Sequence, residues 1–403
     1  FWLKLSVPRA FSTKTPPDST KTFQTPTRIM ASTALRTFAS ASRVAGARRF
    51  SSGSFKAWLV DSEKGKLKSR SITEFASLSD LPRQDPDATV TVNVKYSTLN
   101  YKDAMIIKGV HGVCKGFPIV PGIDFSGVVE KSDSPMWKEG DEVVLTGNKC
   151  GQFFDGGFSE KCRVQAEWLV KKPDTFSLED CMTIGTAGFT AMQMVSHLEA
   201  YGGMKPNGGD VLVTGAGGGV GGMAIAILSD LGYNVVASTS RTDELGDYLK
   251  SLGASKIIGR LEGDGRKRPL QDQKFGFVVD TVGGPTLSTA LAQTKHMGSV
   301  AAVGVAAGGV LDTTVYPFVL RGVRLLGVDS TLPWNVEGFD ADKNIWEQYR
   351  QERLTVWERL GKELPKSALP LTQSGVISMD EIPDKCEELL KGQVRGRCVV
   401  KVQ

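Results

Sequence analysis

The sequence predicts an α/β chain in which a β-rich module precedes a doubly wound parallel sheet. Three observations carry this. A strand-like run, Val211-Leu212-Val213, breaks into six glycines between Gly215 and Gly222 and passes at once into an apolar helical run. Strand-like and helix-like segments then alternate to about residue 329. Upstream, residues 55–180 read mainly as strands with a period of two, broken by Gly, Asp and Pro turns.

The first fifty residues are expected to be an address, or else a disordered prefix without one, rather than part of the fold. They are rich in Ser, Thr, Ala and Arg and carry a charge of +8, whereas the other 353 residues sum to −3. From Met30, apolar Leu35, Phe38 and Val44 interleave with Arg36, Arg43, Arg48 and Arg49. This is the pattern of a basic amphipathic transit peptide. The expected destination of the mature chain is the mitochondrial matrix, with plastid or cytoplasm as alternatives. Met30 is the expected start and residues 1–53 are set aside from the fold. The remaining chain is mildly acidic, which argues against a nucleic-acid groove. No apolar run reaches the roughly 18 residues of a membrane span.

In the β-rich module, Val90, Val92, Val94 and Tyr96 alternate along VTVNVKYSTLN (90–100). FSGVVEK (125–131) and DEVVL (141–145) are further strands. The run Asn100-Tyr101-Lys102-Asp103 reads as a helix start. Asn100 would be the N-cap, Asp103 would compensate the dipole in the first turn, and Tyr101 would pack on the core. GTAGFTAM (185–192) is a second helix start, where Thr186 and Thr190 are suited to capping or packing.

Gly217, Gly219 and Gly222 fit a G-x-G-x-x-G turn with a strand before it and a helix after it. Glycines let the backbone approach a pyrophosphate, and the helix offers unpaired N–H groups from Gly217, Gly218, Gly219 and Val220. No Gly-Lys-Ser/Thr closes the run, which disfavours a nucleoside-triphosphate loop. The next strand, NVVASTSR (234–241), lacks the acid that would bond a ribose 2′-hydroxyl and ends in Thr239, Ser240 and Arg241. Hydroxyls and a guanidinium suit a 2′-phosphate, at about 1.5–3 kcal/mol for a charge-assisted bond. The expected cofactor is therefore NADPH. In a purely structural reading Arg241 is a solvated helix-start residue and Ser240 or Thr242 an N-cap. TDELGDYLKSLG (242–253) is the following helix, and SKIIG (255–259), FGFVVDTVGG (275–284), GSVAAVGVAAGG (298–309) and VRLLGVD (323–329) are further strands. Asp280 and Gly304, at two strand exits, are expected to line the cofactor cleft.

Six scattered cysteines contain no C-x-x-C pair and suit a reducing compartment. His111, His197 and His296 are the only histidines, and His111 has no obvious partner. No metal site is expected.

The motifs NYKDAMIIKG (100–109), PGIDFSGVV (121–129), GDEVVLTG (140–147), DGGFSE (155–160), GTAGFTAM, the glycine loop and VVDTVGG (278–284) resemble the medium-chain dehydrogenase/reductase superfamily. RPLQDQKFGFVVDTVGG (268–284), PFVLRGVRLLGVDS (317–330) and LLKGQVRGRCVVKV (389–402) are similar to its acrylyl-CoA reductase and quinone-oxidoreductase-like branch. The resemblance implies a GroES-like catalytic domain over residues 54–180, completed by 330–403, around a Rossmann domain at 181–329. Zinc members carry Gly-His-Glu where this chain has Gly122-Ile123-Asp124. The implied reaction is zinc-free, NADPH-dependent reduction of the C=C bond of a short enoyl-CoA thioester. Tyr101 is the implied proton donor, Asn100 bonds the nicotinamide ribose or the substrate carbonyl, and Asp103 is a further catalytic candidate. The resemblance sets Thr186 and Thr190 beside the cofactor. Arg321 and Arg324 are candidates for a CoA phosphate. The alternatives are an NADPH quinone or alkenal reductase on the same fold, or a non-catalytic NADPH-binding protein. By analogy, edge strands of the cofactor domain pair two copies into a homodimer. Asn148-Lys149-Cys150-Gly151 replaces the Trp-Gly usual in close relatives, and TLPWNVEGFDADKN (331–344) is unfamiliar.

Overall fold

A computed structural model describes residues 53–262, 268–331 and 343–403. The expected transit peptide, and all but the ends of the unfamiliar stretch at 331–344, lie outside the described residues. The chain opens with a hairpin of β1 (Phe55–Glu63) and β2 (Lys66–Phe75). Strand β3 (Val90–Thr98) leads into the short helix α1 (Tyr101–Ile107). Strands β4 (Asp124–Ser132), β5 (Glu142–Thr146), β6 (Lys161–Val164) and β7 (Val170–Lys171) follow. Helix α2 (Leu178–Ala200) then carries the chain to the second sheet.

There the alternation is regular. β8 (Val211–Thr214), α3 (Gly219–Asp230), β9 (Val235–Ser238), α4 (Thr242–Ser251) and β10 (Lys256–Ile258) form the first half. β11 (Phe275–Asp280), α5 (Gly284–Gln293), β12 (Thr294–Ala302), α6 (Tyr316–Arg321) and β13 (Arg324–Gly327) form the second. The six strands lie in the order β10-β9-β8-β11-β12-β13, all parallel. The order reverses beside β8, so ligands are expected at the crevice outside its carboxyl end. Val211, Leu212, Val213 and Thr214 are all buried because helices cover both faces of the sheet.

The chain then returns to the first sheet. Helix α7 (Lys343–Glu363), α8 (Ala368–Thr372), β14 (Gln373–Ser378), α9 (Ile382–Leu390) and β15 (Arg397–Lys401) end it. β15 pairs antiparallel with β3, so the sheet runs β14-β15-β3-β4-β5-β7, with β6 also on β3. The last strand of the chain thus lies beside the strand that leads into α1.

One local expectation holds and one changes. GTAGFTAM lies within the span of α2, yet it is a helix start in geometry. That helix breaks at Gly185 (φ 50°, ψ −160°), and regular geometry resumes at Thr186. Helix α4 begins at Thr242 with Arg241 in the N-cap position and no side-chain cap, so neither Ser240 nor Thr242 is the cap.

Candidate active site

The glycine loop is tight for identifiable reasons. Gly215 has φ 60°, which favours glycine. A Cβ on Gly221 would lie 2.4 Å from the Gly215 carbonyl, and one on Gly217 would lie 2.4 Å from Leu245 Cδ1. The turn itself and the approach of α4 therefore both exclude a side chain. Gly218 is exposed, is the N-cap of α3, and donates its own N–H to Gly215 at 3.0 Å. Gly219 and Val220 begin the helix, where N–H groups have no intrahelical acceptor. They form an anion cradle at the positive end of a twelve-residue helix.

Arg241 reaches this loop from the end of β9. Its Nη2 lies 3.5 Å from the position of a Cβ on Gly217, while Nη1 donates to Glu244 Oε1 at 3.0 Å. Thr239 is buried and its hydroxyl accepts from the Arg241 N–H at 3.2 Å, whereas Ser240 is exposed. Loop and strand end thus converge as expected. Asp280 differs from expectation, whereas Gly304 lies half-buried at the exit of β12. Asp280 is fully buried and accepts from Thr214 Oγ1 at 2.7 Å and from the Gly283 N–H at 2.8 Å. Burial pushes its carboxyl above the usual range. It braces the ends of β8 and β11 and faces no cleft. Gly304 is glycine because a Cβ would lie 1.9 Å from the Thr281 carbonyl.

A buried polar cluster joins the two sheets. Asp124, fully buried at the start of β4, accepts from the Thr186 N–H at 2.7 Å, from the Thr186 hydroxyl, and from Asn100 Nδ2 at 3.0 Å. The break at Gly185 frees the Thr186 N–H for this bond, so the carboxylate caps the second half of α2. A Cβ at Gly185 would lie 2.6 Å from Arg397 Nη2 and 2.9 Å from Asp124 Oδ2. Arg397 is 4% exposed; it donates to Thr98 Oγ1 at 2.9 Å and to Asn100 Oδ1 at 3.2 Å, and lies 3.9 Å from Asp124 Oδ2. Its Cδ lies 2.7 Å from the place a Cβ on Gly219 would take, so it also touches the anion cradle.

This cluster reassigns several candidates. Asn100 has both amide atoms engaged, by Asp103, Asp124 and Arg397, so it orients α1 and offers no amide to a substrate. Asp103 is fully buried and accepts from the N–H groups of Asn100, Gly122 and Ile123 at 3.0–3.1 Å. It ties α1 to the turn before β4 and cannot touch a reacting atom. Thr186 is the cap described above, and Thr190 donates to the Thr186 carbonyl at 2.6 Å. Both hydroxyls bond inside the protein, as the capping and packing alternative anticipated. Tyr101 is the exception. It is 53% exposed at the first position of α1 and does not pack on the core. Beside it, Lys102 Nζ donates to Thr331 Oγ1 at 2.9 Å.

Comparison with known proteins places this architecture. Residues 86–174 match the family "Alcohol dehydrogenase GroES-like domain" and residues 219–337 match "Zinc-binding dehydrogenase". Acrylyl-CoA reductase AcuI of Ruegeria pomeroyi is 44% identical over 349 residues, 86% of this chain and 99% of that protein. The chain belongs to the medium-chain dehydrogenase/reductase superfamily. Within it the chain falls in the quinone-oxidoreductase-like branch. The crystal structure of Escherichia coli K-12 YhdH with bound NADPH is similar at 41% identity and TM-score 0.76, covering 86% of this chain and all of that one. Bacillus subtilis yhfP with NAD bound is similar at 39% identity and TM-score 0.76, covering 87% and 100%.

The superfamily's zinc does not fit this donor set. Ile123 stands where zinc members carry their histidine; it offers no ligand atom and is buried. Among the described residues no group of three or more His, Cys, Asp or Glu could hold a metal ion, and all six cysteines are free and buried. The arginines expected near a CoA phosphate serve the fold instead. Arg321 donates to the carbonyls of Ala292 and Gln271, and Arg324 to that of Met297. Sequence reasoning missed Asp124 and Arg397 as site residues. Their one local signal is a charge at the edge of an apolar strand, in GIDFSGVV and RGRCVVKV.

Asp103 generates a pH dependence. Burial first, and then the Asp124 carboxylate, push its pKa to about 7. In the unfolded chain an aspartate titrates near ~3.9. The folded state therefore holds this proton more tightly, and its contribution to stability falls as pH rises from about 4 to about 7. Replacing Asp103 by Asn removes this component. Urea midpoints measured at pH 5 and pH 8 should differ less in Asp103→Asn than in the wild type; an identical difference in both would contradict the assignment.

Proposed function

We propose that this chain is an NADPH-dependent reductase of the activated C=C bond of a short enoyl-CoA thioester. The observation that carries the reading is the path Tyr101–Asn100–Arg397–Gly219. It connects the one exposed acid group of α1 to the anion cradle through a single buried arginine. The names of the relatives agree: the Ruegeria protein is an acrylyl-CoA reductase and the E. coli structure holds NADPH.

The cradle residues fit the pyrophosphate of the dinucleotide. Gly217 leaves room for it, and Gly219 and Val220 donate their N–H groups. Thr239, Ser240 and Arg241 suit a 2′-phosphate better than a bare hydroxyl, although the B. subtilis relative was solved with NAD. When bound, the reduced nicotinamide supplies a hydride. Tyr101 then delivers a proton to the α-carbon of the substrate. Asn100 and Asp103 hold the start of α1 so that the tyrosine hydroxyl faces the cleft. With no metal to polarise a carbonyl, an alkene conjugated to a thioester is the easier acceptor, because its own oxygen takes the developing charge.

The test is NADPH oxidation with acrylyl-CoA, longer enoyl-CoAs and soluble quinones. We expect acrylyl-CoA to exceed quinones clearly. Equal rates would favour the quinone or alkenal reading, and no turnover with any acceptor would leave a binding protein. Tyr101→Phe should lower kcat by about 10²–10⁴-fold with the affinity for NADPH retained; full activity would exclude the tyrosine as the proton donor. In Arg241→Asp the NADPH/NADH ratio of kcat/KM should fall by about 10-fold or more, in line with one lost charge-assisted bond. An unchanged ratio would remove Arg241 from the 2′-phosphate site.

A second copy is the partner we infer. β13 ends the parallel sheet with no outer neighbour among the described strands. Val310, Val315, Val319 and Leu320, near that edge in the chain, are each more than 60% exposed. Apolar exposure beside an open strand edge marks an interface. Light scattering should give a dimer for the wild type and a monomer for Val319→Lys. A monomeric wild type would overturn the inference.

A further inference from the structure

Tyr101 is followed on α1 by a second side chain that leaves the helix for the cofactor sheet. Lys102 is half-buried, and its Nζ donates to Thr331 Oγ1 at 2.9 Å, four residues past the end of β13. An ammonium group therefore stands at the carboxyl edge of the parallel sheet, where this topology directs ligands. It has three N–H donors. Among the described residues its hydrogen-bond partner is the Thr331 hydroxyl, so two donors remain for a ligand.

No carboxylate pairs with this lysine at salt-bridge distance among the described residues. Asp329, Asp103 and Asp124 favour its charge from farther away, yet burial outweighs them and lowers its pKa. Asp103 and Asp124 each accept already from three or more other donors, and exposed Asp329 accepts from the Thr331 N–H at 3.0 Å. Arg353 sets a second cation behind the same segment. It is 4% exposed and also forms no ion pair among the described residues. Its donors go to neutral groups: the Ser330 carbonyl at 3.1 Å, the Tyr349 hydroxyl at 2.8 Å and both oxygens of Thr146. Two cations thus flank residues 330 and 331 with no carboxylate paired to either. Keeping charge out of water without an ionic partner opposes stability. Preorganised donors of this kind are worth most where negative charge appears only during a reaction.

We propose that the Lys102 ammonium donates to the thioester oxygen of the substrate as that oxygen becomes an enolate, with the Arg353 charge supporting it from behind residues 330 and 331. This rests on the enoyl-thioester reading and deepens it by naming the electrophile. Hydride addition at the β-carbon moves the alkene π electrons into the bond between the α-carbon and the carbonyl carbon, and the carbonyl π electrons move onto oxygen. Lys102 holds that oxygen and keeps its own proton. Proton transfer from the Tyr101 hydroxyl to the α-carbon restores the carbonyl, and water returns a proton to the tyrosine. The two side chains leave α1 from adjacent positions. Acid and electrophile therefore keep one relation to each other, the first for the α-carbon and the second for the oxygen two bonds away.

A lysine that only braced α1 against residues 329–331 would need nothing beyond its bond to Thr331, and the test separates the two roles. Kinetics with acrylyl-CoA compare Lys102→Met, Lys102→Arg and Thr331→Val. Lys102→Met should lower kcat about 10²–10³-fold, as the loss of one oxyanion donor does, with KM and the affinity for NADPH little changed. Lys102→Arg should recover part of the loss. Thr331→Val removes the brace and leaves the ammonium, so its kcat should fall far less. Equal losses in Lys102→Met and Thr331→Val, or full activity in Lys102→Met, overturn the proposal. Infrared difference spectra supply a readout without turnover. With the NADP⁺-saturated protein, the carbonyl band of bound propionyl-CoA labelled with ¹³C at the thioester carbon should lie at lower wavenumber in the wild type than in Lys102→Met. Coincident bands, or no bound thioester in the wild type, overturn the proposal as well. A wild type that fails to reduce acrylyl-CoA removes the proposed reaction, and a band shift lost in Lys102→Met then still supports the lysine as the group that polarises the carbonyl. Circular-dichroism melts establish that the variants are folded, and Lys102→Gln, which keeps a donor and loses the charge, repeats both measurements if Lys102→Met is not.

Discussion

The contact between Asp124 and Arg397 organises the rest of the molecule. Both groups are buried, and a buried ion pair is a poor source of stability unless every lone pair and proton is satisfied. Here most are satisfied, Arg397 Nε being the exception, by residues from two stretches of the chain. Thr98 precedes α1, Asn100 caps it, Thr186 restarts α2, and Gly185 leaves the space a side chain would fill. Removing either charge alone would strand the other in a low-dielectric interior, at a typical cost of about 3–5 kcal/mol. The cluster is therefore retained as a unit. Its effect is positional: it sets the start of α1, and with it Tyr101, at a fixed place relative to the first turn of α3.

This arrangement explains the path of the chain. The sequence leaves the first sheet after β7, builds the whole parallel sheet, and returns more than 200 residues later to add β14 and β15. β15 brings Arg397 between β3 and the glycine loop. The neighbouring Gly396 donates its N–H to the Gly217 carbonyl at 3.1 Å, and a Cβ there would lie 2.0 Å from the Thr372 carbonyl. The last strand thus bonds to both halves of the cleft. A fold in which the chain never returned would need some other element to couple the anion cradle to α1.

Much of the architecture was legible because it is local. The glycine loop needs only a strand, a turn and a helix in sequence, and the lack of an acid at the end of β9 can be read from three adjacent residues. The parallel order followed from alternation of strand and helix. What could not be read was burial. Asp103 and Asp280 are acids near a cleft in sequence, and they become internal braces because backbone N–H groups surround them in three dimensions. Asn100 lies 297 residues from Arg397, and nothing in NYKD announces that its amide is already engaged. Tyr101 went the other way: helical position suggested core packing, yet the first residue of α1 faces out.

The wall opposite the glycine loop is fixed by two further cations that sequence patterns did not disclose. Lys102 holds Thr331, and Arg353 on α7 donates to the Ser330 carbonyl at 3.1 Å and to both oxygens of Thr146 at the end of β5. Arg353 is 4% exposed and lies with its guanidinium carbon 4.3 Å from the ring centroid of Phe189 on α2. A planar, always-charged group can satisfy carbonyls and stack on an aromatic face at once, which a lysine cannot. Residues 329–331, just beyond the last parallel strand, are in this way bonded to α1 and α7 and, through Arg353, linked to β5. The carboxyl end of that strand is where the doubly wound topology directs ligands. The same few bonds that fix its exit therefore also hold the 329–331 segment against Lys102, the neighbour of Tyr101 at the start of α1.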